Sequence, residues 1–264
     1  MFTINYSEAF MIAWTNISHS MCCTGMNPPS IIIEKDIPDA KDIATAEIPA
    51  YLDLRTAVTT INGITNLVPY CSCIRIQHLN VLTKLGEICQ KCDPNVVWLH
   101  VMHLMLHECA HYIYAMKAYQ KYRKCFYTGD KEGRAKAEEK LRTRYLNPDV
   151  FAEAKGEILA ETAALTTMCD YGIRQNGESV IPLIRSRADM ERRSKDRTYA
   201  IMSRVIEYHI YKLLLRVGYS KKLAKKFIDP YELPKDTNKL TRRMYNVLDE
   251  LNNQDVPPEY ELVE

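Results

Sequence analysis

The run DPNVVWLHVMHLMLHECAHYIYAMKAYQKYR, from Asp93 to Arg123, decides how the rest of the chain is read. Asp93 followed by Pro94 makes an N-cap and first-turn pair, because proline's fixed φ suits a position whose amide has no helical partner. The pattern predicts one long helix from there to about Arg123. Apolar residues occupy both sides of it: Val96, Leu99, Met102, Leu106 and Ile113 on one, Val97, Val101, Leu104 and Ala115 on the other. A helix that is apolar nearly all round belongs in the centre of a domain. Set into it are His107, Glu108 and His111, with His100 and His103 on the same stripe. His107 and His111 are four residues apart, so their rings stand one turn above each other on one face. Two histidines and a carboxylate among hydrocarbon must be compensated, because an unpaired buried charge is expensive.

A divalent cation supplies that compensation. In H-E-x-x-H two ring nitrogens reach one Zn²⁺, and the glutamate beside the first ligand takes a proton from water without being a ligand itself. The motif alone is short, and the same side chains could instead satisfy one another in a polar core network. A second helix favours the metal. Asn147-Pro148 repeats the start device, and the helix is expected from Pro148 to a glycine stop at Gly172. Its inward stripe is Val150, Ala154, Glu157, Glu161, Leu165 and Met168, so both glutamates interrupt an apolar face. Glu157 is the choice for third ligand, and Glu161, one turn on, for an acceptor that orients the imidazole of His107 or His111. Glu153 competes for the ligand role, but facing favours Glu157. Gly156 is expected to let the two helices approach closely, which would account for a residue that costs about 1 kcal/mol inside a helix.

HECAH on a buried helix, followed some forty-five residues later by a helix reading E-x-x-A-E, resembles the gluzincins, in which HExxH is completed by a downstream glutamate. In size and order it looks most like the ImmA/IrrE-like and phage-type metallopeptidases, with HExxH and a later E-x-x-A-N. The resemblance covers roughly Cys71 to Cys169. It implies a zincin-like core with His107, His111 and Glu157 as zinc ligands and Glu108 as general base. This chain has Glu161 where Asn or Asp is usual, and a long charged insert before the glutamate helix.

Other groups have weaker signals. Zincins commonly need a donor for the oxyanion of the tetrahedral intermediate. Tyr208, His209 or Tyr171 could serve, although 17 tyrosines make packing the ordinary role of any one of them. His100 and His103 are expected to hydrogen-bond carboxylates or line the upper cleft, since a ring one turn further cannot reach the same ion. Cys71, Cys73, Cys89 and Cys92 have a spacing that could close a structural zinc site, but Cys89 and Cys92 also continue the apolar stripe of Leu85 and Ile88. Cys109 reads as a small buried residue.

At 264 residues, with 47% hydrophobic and 26% charged content, the chain has the composition of an ordinary globular protein. Ser7–Asn16 is expected as a short helix. Ile31–Ile33, Tyr51–Val58 and Cys71–Gln77 are expected as strands of a small sheet with a turn at Asn62-Gly63, and a helical stripe follows from Val81 to Cys89. Lys121–Arg144 is expected as a short exposed helix. A further helix is expected over Met190–Val217, with shorter ones over Lys221–Phe227 and Leu240–Leu251. The fold class is therefore α+β, predominantly helical, with a small N-terminal sheet, a buried HExxH helix, a glutamate helix and a C-terminal helical lobe. Residues 1–175 would form the metallopeptidase core, 176–250 a basic helical lobe packed on it, and 251–264 an acidic flexible tail. Between Arg174 and Arg243 there are 18 Lys/Arg against 8 Asp/Glu, while the net charge of +2 gives no general pull toward nucleic acid. Nine cysteines, the lack of a basic start before the first apolar residues, and no long apolar run predict a cytoplasmic protein with reduced thiols and no membrane partner.

Three functions fit these patterns. The first is a zinc endopeptidase, hydrolysing a bond of a protein or peptide substrate through a metal-activated water with Glu108 as base, in a specific processing role. The second is a catalytically silent zinc-fold protein with a structural or regulatory role. The third is a nucleic-acid-binding regulator using the basic lobe, against which stands the usual role of a charge run as a solvated helix face.

Overall fold

A computed structural model describes residues 4–34, 49–61, 63–88, 94–148 and 150–174, together with 215, 218 and 220–224. The fold is mixed α+β and mostly helical, with one three-stranded sheet. Helix α1, Tyr6–Ser20, is longer than expected. Asn5 starts it: its side-chain oxygen accepts from the Glu8 amide at 3.2 Å while its amide group donates to the Glu8 carboxylate at 3.0 Å, a reciprocal cap. Its buried face is Tyr6, Ala9, Phe10, Ala13, Trp14 and Ile17.

The strands are β1 (Ser30–Glu34), β2 (Ala50–Ile61) and β3 (Ile64–Gln77), in the order β1-β3-β2. β2 and β3 form an antiparallel hairpin in which Ile61 pairs with Ile64 across the turn, and β1 runs parallel to β3. Gly63 has φ +73, the left-handed conformation that a two-residue hairpin turn requires. The expected strands Tyr51–Val58 and Cys71–Gln77 are thus parts of longer ones. Pro69, which cannot donate to the ladder, sits at the register shift between Arg55 and Thr56, where a bulge tolerates it.

Helix α2, His78–Ile88, leads to α3, Pro94–Thr128, whose 35 residues form the axis of the molecule. From Val97 to Ala115 almost every described side chain of α3 is buried or half-buried, as an all-round apolar pattern demands. One core joins α1, α3, the far helix α5 (Val150–Arg174) and the sheet, with Ile17, Ile74, Ile76, Met102, Met105, Leu106, Ile113, Leu165 and Met168 fully buried within it. Each such side chain contributes about 1.5–3 kcal/mol through lost apolar surface.

The charged stretch Lys121–Arg144 holds the short, largely exposed helix expected of it, but only over part of its length. α3 continues through it to Thr128, Gly129 turns the chain with φ +72, and α4 follows over Lys131–Leu141. Asp130 starts α4 by accepting from the Gly133 amide at 2.8 Å. A π-helical turn, Arg142–Leu146, completes the connection to α5. Most of this segment is exposed, but its Tyr122, Ala137 and Leu141 form a second core with Tyr119 of α3 and Leu67 of the hairpin, and the Tyr122 hydroxyl donates to the Thr65 carbonyl at 3.0 Å. α5 runs through Gly172 to Arg174, so that glycine does not stop it. A four-residue helix, Lys221–Ala224, is described farther on. The remainder of the expected basic lobe and the acidic tail lies outside the described residues. No described helix is long and apolar enough to cross a membrane.

Candidate metal centre

α3 and α5 pack side by side and bring together the residues singled out from their spacing. His107 Nε2 lies 3.1 Å from His111 Nε2 and 3.1 Å from Glu157 Oε2, and His111 Nε2 lies 3.2 Å from Glu157 Oε1. On its other side His107 Nδ1 is 2.9 Å from Glu161 Oε2. In the tautomer in which His107 donates its Nδ1 proton to Glu161, a neutral ring has only a lone pair to present at Nε2. That lone pair faces a carboxylate oxygen and a second imidazole nitrogen, and electron-rich atoms at this separation repel unless a positive charge sits among them.

Two kinds of charge can do so. With protons alone, burial works against a charged His107, but the hydrogen bonds and charges of Glu157 and Glu161 prevail and raise its pKa well above the ordinary imidazole value. Burial would likewise raise Glu157, yet the charge of His111 and the hydrogen bonds from both imidazoles hold it far below the carboxylate range. A divalent metal ion satisfies all three donors at once. Ligands about 2.0–2.2 Å from a tetrahedral zinc stand about 3.3–3.5 Å apart, close to the separations between these donors. Two imidazole nitrogens and one carboxylate also form a donor set suited to zinc. The residues present therefore fit the ion that the spacing implies.

Exposure gives the site a direction. The side chain of His107 is 10% exposed, those of His111 and Glu157 are 22% and 28% exposed, and Glu161 is wholly buried. The triad thus opens to solvent past His111 and Glu157 and is anchored from beneath by Glu161. That carboxylate uses both oxygens: Oε1 meets His103 Nε2 at 3.0 Å, while Oε2 holds His107. His103 accordingly bonds a carboxylate, one of the two roles expected of it. His100 is buried on the same helix. Glu153, the competing ligand, is exposed and outside the cluster, in which the His107, His111 and Glu157 ligand atoms all lie within 4.8 Å of one another.

Glu108 is buried beside the triad. Burial raises its carboxyl pKa, against the charges of His107 and His111, and a hydrogen bond from the Leu52 backbone also reaches it. Leu52 belongs to β2, the outer strand of the sheet, so an edge strand runs next to the candidate base. Sequence reasoning missed this backbone contact, because main-chain donors leave no trace in residue identity.

Gly156 corrects a second expectation. A Cβ there would meet nothing within 4 Å, so the glycine does not serve close helix packing. It lines a small cavity of about 20 Å³ beside His111, together with Tyr114, Arg144, Tyr145 and Lys155. Arg144 and Tyr145 come from the π-helical turn, within a stretch whose charge reads as solvated surface, and no spacing marks them as neighbours of the triad.

Cys71 and Cys73 meet Asp53 rather than other described thiols, with ligand atoms within 4.8 Å. The Asp53 carboxylate is already held by Arg55 at 3.1 Å and Arg75 at 2.8 Å, and two guanidiniums oppose a further cation. Burial, then the neighbouring Cys71, pushes the Cys73 thiol up and favours its protonated form. Cys89, Cys92, Tyr208 and His209, and the side chain of Tyr171, lie outside the described residues. Cys109 is buried in the core, as expected of a small apolar residue. Comparison of the chain with protein-family models, with curated proteins and with solved structures found no match.

Proposed function

We propose that the chain is a zinc-dependent endopeptidase of the gluzincin type, with a zincin-like core and a specific processing role on a protein or peptide substrate. The observation that carries this reading is the convergence of His107 Nε2, His111 Nε2 and the Glu157 carboxylate within 3.1–3.2 Å, with Glu108 buried beside them. His107, His111 and Glu157 would hold the ion. Zinc bound there supplies Lewis acidity toward a carbonyl and lowers the pKa of water.

The protein's own groups do the remainder. Glu161 holds His107 in the tautomer whose Nε2 lone pair faces the cluster, and its burial keeps water from competing for that bond. Glu108 takes a proton from the attacking water and passes it to the leaving amine. Its burial suits the first of these transfers, because a carboxylate whose pKa is raised is a stronger base toward the water. β2 offers an edge along which an extended peptide can lie beside α3. The partly exposed side of His111 and Glu157 is where the peptide carbonyl would enter.

The deciding experiment is metal analysis of the protein purified without added zinc, alongside His107→Ala and Glu108→Gln. The reading expects about one zinc per chain in the wild type and in Glu108→Gln, none in His107→Ala, and peptide cleavage by the wild type alone. Equally little metal in wild type and His107→Ala overturns it. Bound zinc with no cleavage of any peptide favours the catalytically silent alternative.

A further inference from the structure

We propose that the cavity beside His111 binds one monatomic anion, a halide such as chloride, and that this ion anchors His111 as Glu161 anchors His107. The anchoring rests on the proposed zinc site, whereas the anion site rests on its own lining. The two imidazoles of the triad are held differently. His107 has Glu161 against its Nδ1 at 2.9 Å, while His111 turns Nε2 to the triad and has no partner for Nδ1 among the described residues. A ligating imidazole ordinarily gives its second ring N–H to an acceptor. His111 lines the cavity, and an acceptor seated there completes the bonding of the ring.

The rest of the lining supplies donors. No carboxylate is among the described lining residues, and the half-buried Arg144 makes no ion pair with a described residue. The hydroxyls of Tyr114 and Tyr145 make no hydrogen bond to a described group either. Burial raises Tyr114 to about 12, and burial raises Tyr145 against the opposing charge of Arg144, so both keep their protons at neutral pH. Arg144 decides between an anion and a water molecule. A hydroxyl can donate or accept, but a guanidinium only donates, and its charge favours a negative partner. Lys140, one turn before Arg144, has its pKa lowered by burial and then by neighbouring cations, Arg144 foremost, so the field around the cavity is positive.

Size restricts which anion. The cavity is about 20 Å³, room for one particle of about the size of a water molecule. A carboxylate or a phosphate is too large for it, and a halide ion is of the right order. Bound there, the ion accepts from His111 Nδ1 and so commits Nε2 of that ring to the metal, the service that Glu161 gives to His107.

The test uses full-length wild type, Arg144→Gln and Tyr145→Phe, each in sodium chloride and in sodium gluconate at matched ionic strength. Chloride binding to metal-free protein is read by broadening of the chloride NMR signal, and zinc affinity by competition with a chelator in both salts. Wild type should broaden the signal, Tyr145→Phe should broaden it less, and Arg144→Gln should not broaden it. Zinc should bind wild type about tenfold more tightly in chloride than in gluconate, the lower end of what a hydrogen-bond partner does for a ligating imidazole, and Arg144→Gln should lose that difference. Wild-type crystals soaked in bromide should show one anomalous peak beside His111, which decides the matter even if the variants fail to fold. No broadening by wild type, broadening that survives Arg144→Gln, or water alone beside His111 overturns the site, and equal zinc affinity in the two salts overturns the anchoring. If zinc binds in neither salt but Arg144-dependent broadening persists, the anion site stands and the metal reading fails. Bound zinc with no response to chloride gives the converse.

Discussion

Replacing Glu161 with leucine tests the support of the site without touching a ligand. The carboxylate is wholly buried and spends one oxygen on His107 Nδ1 at 2.9 Å and the other on His103 Nε2 at 3.0 Å. Leucine fills similar volume and accepts no hydrogen bond, so both imidazoles lose their partner in a place that the carboxylate shares with no solvent. His107 is then free to turn or change tautomer, and its Nε2 lone pair is no longer committed to the cluster. Loss of a partner of this kind typically lowers metal affinity about 10–100-fold, equivalent to about 1.4–2.8 kcal/mol. Two orphaned buried donors at about 1–3 kcal/mol each add a stability loss of about 2–6 kcal/mol to the metal-free protein. Zinc affinity by competition with a chelator of known strength measures the first effect, and urea unfolding of metal-free protein measures the second. Glu161→Gln should lie between wild type and leucine, since its one carbonyl can accept from only one of the two histidines. A zinc affinity for Glu161→Leu within threefold of wild type would refute the claim that this carboxylate orients His107.

Other outcomes follow from single contacts. Glu108→Gln should leave zinc binding within a few-fold of wild type while lowering the cleavage kcat by about 10²–10⁴-fold, the usual contribution of a general base; an equal loss of metal would place Glu108 among the ligands. Zinc at about 100 times its Kd should stabilise the wild type by about 2.7 kcal/mol in thermal unfolding, and His111→Ala should lose that gain. Tyr122→Phe removes the hydroxyl that donates to the Thr65 carbonyl in the second core, and should cost about 1 kcal/mol in urea unfolding with no change in zinc content. Asp130→Ala removes the cap of α4 and should cost about 0.5–2 kcal/mol in the same assay.

Much of the fold was legible because it depends on periodic patterns. The all-round apolar run of α3 required a central helix, the period of α5 put Glu157 and Glu161 on its inner face, and Asn62-Gly63 announced the hairpin. The errors fell where local pattern and tertiary packing diverge. Lys121–Arg144 is mostly solvated as its charge suggests, yet Tyr122, Ala137 and Leu141 within it pack under the hairpin. Gly156 looked like a packing glycine, and it faces open space instead.

At the site the division is similar. The sequence by itself determined which side chains share a face, since a four-residue spacing on a helix sets His107 over His111, and Glu157 and Glu161 on one stripe, whatever surrounds them. Only the tertiary structure decided how the two helices meet: that Glu157 reaches both histidines, that Glu161 bridges His103 and His107, that the Leu52 backbone reaches Glu108, and that Arg144 and Lys155 line the cavity beside His111. The physical reason is one of range. Helical geometry relates residues a few positions apart through a fixed backbone, whereas contacts between residues some fifty positions apart depend on how the buried faces of α3, α5 and the sheet pack into one core.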